Sequence, residues 1–83
     1  MREPLVVRVE DETRAIALVH ELIGLTRLDL RRRDGGWELA VDGADTDRLV
    51  VRVLDAVRQV LAGEPTATAL VQMDGREYQM NGE

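Results

Sequence analysis

Along residues 5–10 the side chains alternate, with Leu5, Val7 and Val9 on one side and Val6, Arg8 and Glu10 on the other. A period of two is that of a strand with one buried face. At Asp11 the period changes. Asp11 predicts a helix N-cap, and Glu12 sits in the first turn, where the helix dipole favours an acid. Ala15, Ile16, Leu18, Val19, Leu22 and Ile23 then form one apolar stripe at helical spacing. Gly24 is expected to end this helix in the left-handed conformation, with Leu25 folding back on its last turn.

Alternation returns over residues 26–33, where Leu28 and Leu30 share one face and Arg27, Asp29, Arg31 and Arg33 the other. Asp34-Gly35 is a type I′ hairpin signal. A two-residue turn there pairs Arg33 with Gly36, Arg32 with Trp37, Arg31 with Glu38, Leu30 with Leu39, Asp29 with Ala40 and Leu28 with Val41. Apolar residues meet apolar partners on one face, and Arg31 meets Glu38 on the other. A slip of one residue would undo every one of these matches, so the register is well specified.

The second helical pattern is wider. Asp45 or Thr46 can cap it, and Leu49, Val50, Val53, Leu54, Val57, Val60 and Leu61 form its stripe. Arg48, Arg52, Asp55, Arg58 and Gln59 make a solvent face on which Val51 is out of place. Gly63 and Pro65 are stop signals. A last hairpin runs through residues 67–73 and 76–80 around Asp74-Gly75, placing Ala69, Val71, Met73, Tyr78 and Met80 on a common face. Residues 81–83 are expected to fray.

The order is therefore βαββαββ within a single domain spanning residues 1–83. Strands with one apolar face and two amphipathic helices predict an α+β two-layer sandwich, an antiparallel sheet with both helices on one face. Right-handed crossovers leave room for one strand between each parallel pair, which is the ferredoxin-like split β-α-β arrangement. The expected strand order is 5-4-1-3-2.

Composition removes several classes of function. The chain has no Cys, Ser, Lys or Phe, and all eleven basic residues are Arg, which suggests a GC-rich, bacterial coding genome. Without Cys there is no disulfide, thiolate metal site or thiol nucleophile. A net charge of −5 with interleaved signs makes nucleic acid an unsuitable partner, since such binding rests on neutralising phosphates. The start of the chain carries no signal-peptide pattern, and no apolar run approaches a membrane span, so no membrane role and a cytoplasmic location are expected.

Candidate chemistry is sparse. Thr13, Thr26, Thr46, Thr66 and Thr68 lie in no nucleophile motif. The single His, His20, flanks the first apolar stripe without a visible partner. Asp42, Asp45 and Asp47 lack the spacing of a calcium loop and are read as turn and cap residues. No catalytic residue, cofactor site or metal site is expected. Arg31-Arg32-Arg33 divides by alternation: Arg31 is expected to pair with Glu38, Arg32 to stack on Trp37, and Arg33 to remain a free charge. Charges on such a strand also protect an edge.

The topology is similar to that of RNA-recognition motifs, small metallochaperones and ACT-type regulatory domains. The first stack bases on sheet aromatics, whereas Trp37 and Tyr78 are expected to face the helices, and the paired cysteines of the second are missing. Likeness to the third implies ligand binding at a dimer seam. On the open sheet face, Val6, Ala40 and Leu70 point outward among polar neighbours, the composition of a small interface. The expectation is a non-enzymatic interaction module, a homodimer or a binder of a protein partner, docking through Val6, Ala40 and Leu70 or through the edge carrying Arg31 and Arg33. The alternative is an ACT-like sensor of an amino acid or small anionic metabolite, held near Arg31 and Arg33.

Overall fold

In this computed structural model, residues 5–42, 47–64, 66–73 and 75–82 are described. Leu5, Val7 and Val9 are buried while Arg8 is exposed, so the alternation of the first strand separates a core face from an open face. The elements run β1 (Leu5–Val9), α1 (Glu12–Leu22), β2 (Leu28–Arg33), β3 (Gly36–Val41), α2 (Asp47–Leu61), β4 (Thr68–Met73) and β5 (Arg76–Asn81). The strands form one antiparallel sheet in the order β2-β3-β1-β4-β5, with β1 at its centre. Both helices cover the face that carries Leu5, Val7, Leu39, Val41, Ala69 and Val71. Helix α1 packs over β1, β3 and β2, and α2 over β4 and β5.

Turn chemistry fixes both hairpins. Gly35 has φ 78° and Gly75 has φ 75°, the left-handed values a two-residue turn requires. Arg33 pairs with Gly36, Leu30 with Leu39 and Leu28 with Val41 in the first hairpin, and Met73 with Arg76 and Val71 with Tyr78 in the second. Both registers are those the alternation specifies.

Asp11 caps α1, its carboxylate accepting the Arg14 backbone N–H at 2.7 Å while the Arg14 guanidinium closes on the same carboxylate. The other end differs from expectation. Ile23 continues in the right-handed conformation with its N–H donating to the Val19 carbonyl, Leu25 donates to Leu22, and Gly24 is not left-handed. The turn closes through ordinary backbone bonds, so no left-handed residue is needed. Helix α2 does end at a left-handed glycine, Gly63 with φ 83°. Its expected caps Asp45 and Thr46, and Pro65, lie outside the described residues.

The buried core consists of apolar residues, with no buried polar or charged residue among those described. Ala15, Leu18 and Leu22 are its share from α1, and Val53, Ala56, Val57 and Leu61 from α2. Ile16 and Ile23 are not part of it. They lie one residue, about 100° of helix, past Ala15 and Leu22, which rotates them off the buried line. Of the residues expected to fray, Glu83 lies outside the described residues. Asn81 extends β5 opposite Thr68, and Gly82 is buried, donating to the Ala67 carbonyl at 3.0 Å. A Cβ on Gly82 would run into the carbonyls of Leu61 and Glu64.

Candidate interaction surface

The registers place the open-face residues in rows across the sheet. One row reads Asp29, Ala40, Val6, Gln72, Glu77, and the next reads Arg31, Glu38, Arg8, Leu70, Gln79. Val6 and Ala40 are therefore direct neighbours, while Leu70 lies one row away beside Arg8. All three are half-buried, shaded by the longer charged side chains around them. They do not make a broad exposed apolar patch.

The arginine triple resolves differently from its hairpin register. Glu38, whose side chain is only 12% exposed, receives Arg8 Nε at 3.1 Å and Arg33 at 3.4 Å. Arg31 bonds instead to Asp29, two residues along its own strand, at 2.9 Å. The reason is non-local: β1 sets Arg8 directly opposite Glu38 from the other side, and the carboxylate turns to it. Arg33 is thus not a free charge. Arg32 is exposed and makes no ion pair or ring contact with Trp37 among the described residues.

A depression of about 460 Å³ lies at this end of the open face, lined in part by Arg8, Arg33, Glu10, Asp34, Glu38 and Leu70. Two cations face three carboxylates there, so it holds no surplus positive charge for an anion. On the opposite face, His20, Glu21, Arg52 and Asp55 share a groove of about 490 Å³ between the helices. These four are exposed, and no hydrogen bond or ion pair joins them among the described residues. A base without an orienting partner is not an assembled acid–base site. Among the described residues, no group of three or more His, Asp or Glu side chains could hold a metal; Asp42 lies in the turn after β3 and Asp47 opens α2.

The most exposed large apolar residues lie elsewhere. They are Ile23 at 67%, Val51 at 55%, Leu25 at 47%, Tyr78 at 44% and Ile16 at 43%. Ile16, Val19 and Ile23 are spaced i, i+3, i+7 and form one row along α1. Arg14 and Glu21 on the opposite flank face the α2 side, Arg14 reaching Glu64 at 3.9 Å and Glu21 lining the interhelix groove. The Ile row therefore faces away from α2, toward the β2 side of the sheet. Beneath it, Leu28 and Leu30 of β2 are half-buried and packed against the core margin. The result is an apolar ledge above an edge strand. The helical spacing alone sets Ile16 and Ile23 in one stripe with Ala15, Leu18 and Leu22; the expected strand order, with β2 at an edge, is the signal that could have set them at a margin.

No family model matches the chain, and no curated protein or solved structure matches it. Among the described residues, no helix is long and apolar enough to cross a membrane.

Proposed function

We propose that the protein is a non-enzymatic interaction module that self-associates, and that its seam is the β2 edge with the α1 ledge above it. The observation that carries this reading is the coincidence of β2, an edge strand with no strand beyond it among the described residues, with the exposed Ile16 and Ile23 and the half-buried Val19 between them. An edge strand offers free backbone donors and acceptors, and the adjoining apolar row supplies area whose burial favours association. The order β2-β3-β1-β4-β5 supports a ferredoxin-like split β-α-β assignment, with β5 as an added edge. A cytoplasmic location fits a chain free of cysteine.

The open face is the weaker docking surface, because Val6, Ala40 and Leu70 are half-buried and set among matched charges. The sensor alternative relies on Arg31 and Arg33, and each is held by a carboxylate of its own chain. Light scattering on two variants separates these surfaces. Ile23→Asp is expected to give a monomer, and Leu70→Glu to keep the mass of the parent protein. The reverse pattern transfers the seam to the open face. A thermal-shift panel of amino acids and anionic metabolites is expected to be flat, and a specific shift would favour the sensor.

A further inference from the structure

We infer that two copies join through antiparallel β2–β2 pairing about a two-fold axis at Leu30, making one continuous ten-stranded sheet. This rests on the self-association proposed above and specifies its geometry.

The backbone decides which residues can pair. In an antiparallel ladder, alternate residues direct both N–H and C=O to the same neighbour. The two-residue turn makes Arg33 and Gly36 a hydrogen-bonded pair, and the Asp42 N–H donates to the Arg27 carbonyl at 3.0 Å. Arg27, Asp29, Arg31 and Arg33 therefore spend their backbone groups on β3. Leu28, Leu30 and Arg32 direct theirs outward, to the free edge. A two-fold pairing must keep side-chain faces matched, which restricts its axis to a residue position rather than the gap between two.

Charge then selects among the registers. With the axis at Leu30, Asp29 lies opposite Arg31 of the partner subunit, and Arg31 opposite Asp29 of the partner subunit. These are the close, non-hydrogen-bonded positions, so the existing Asp29–Arg31 pair becomes a square of alternating charge. An axis at Asp29 sets Asp29 against itself and Arg27 against Arg31. An axis at Arg31 sets Arg31 against itself. An axis at Leu28 sets residues 29–33 opposite residues 27–23 of the partner subunit, which precede β2, and so leaves only Leu28 paired strand to strand. The Leu30 register has one unfavourable feature, Arg27 opposite Arg33 of the partner subunit, and it is softened by the hold of Glu38 on Arg33.

The same register serves the other layer. Leu30 meets its own copy on the helix side, and the two Ile16–Val19–Ile23 rows approach each other over the new seam. About six backbone hydrogen bonds are added. The partner that best fits this edge is a second copy of the chain.

The chain has no cysteine, so single cysteines report the axis directly. In the Leu30 register, Leu30→Cys sets its cysteine against its own copy, within the Cα separations a disulfide spans. Oxidation is expected to give a covalent dimer from Leu30→Cys, none from Leu28→Cys or Arg32→Cys alone, and one from a mixture of those two. In the charge arm, Asp29→Arg and Arg31→Asp each weaken self-association roughly tenfold or more by placing like charges opposite. Mixing the two variants restores the dimer. Native mass spectrometry of the parent protein separates the two levels of the proposal. A parent that stays monomeric at high concentration overturns the self-association reading itself. A dimeric parent that cross-links at Gln79→Cys and not at Leu30→Cys keeps self-association and moves the seam to β5. A dimer that links through Leu28→Cys alone overturns the register.

Discussion

Two glycines make the most exacting test of the sheet. Gly36 opens β3 with a φ outside the left-handed region, so its backbone accepts any residue. A Cβ there would stand 2.6 Å from the Val9 carbonyl oxygen, and 3.4 Å from Glu10 Cα. An ordinary non-bonded contact is about 3.5 Å, so nearly 1 Å must be absorbed by the backbone of β1, the central strand. Overpacking of this kind costs about 1–3 kcal/mol, against which the reduced freedom of the unfolded chain returns about 0.4–1 kcal/mol. Gly36→Ala is therefore expected to destabilise by roughly 1–2 kcal/mol, a fall in Tm on the order of 4–16 °C for a domain this size. Gly24 provides the control. It is also outside the left-handed region, but nothing lies within 4 Å of its added Cβ, so Gly24→Ala should stabilise by about 0.4–1 kcal/mol. Urea denaturation at constant m-value measures both. If Gly36→Ala proves as stable as Gly24→Ala, the close approach of β3 to β1 is wrong.

Asp11→Ala removes the α1 cap and the carboxylate that holds Arg14, and should cost about 1–2 kcal/mol, with faster amide exchange at Arg14. Glu38→Gln releases Arg8 and Arg33, which are 49% and 58% exposed; the loss should be under about 1 kcal/mol and should shrink further in high salt. Leu18→Ala leaves a cavity at a fully buried site and should cost about 2–5 kcal/mol in denaturant titration, whereas the exposed Ile23→Asp should leave monomer stability nearly unchanged.

The two hairpins were legible in the sequence because Asp34-Gly35 and the alternation around it are local signals that agree. The second stripe was equally plain, and Leu49, Val50, Leu54 and Val60 pack against the core that Val53, Val57 and Leu61 help to form. What sequence reading lost depends on lateral placement. Whether Ile16 and Ile23 are covered depends on how far α1 extends over the sheet, a property of the assembled layers. The partner of Glu38 was misjudged because Arg8 reaches it from a strand 30 positions away along the chain. Gly24 carries the usual signature of a helix stop, yet the turn closes through Ile23 and Leu25. The burial of Gly82 follows from the tail meeting the end of α2, which no local pattern announces.

Sedimentation equilibrium across a wide concentration range, on the parent 9.3 kDa chain and on Ile23→Asp in parallel, decides whether the β2 edge and the α1 ledge form a self-association seam. The parent protein is expected to converge on twice the chain mass as concentration rises, while Ile23→Asp stays at the mass of one chain. A parent protein that remains at the single-chain mass throughout, or an Ile23→Asp variant that dimerises as readily as its parent, would contradict such a seam.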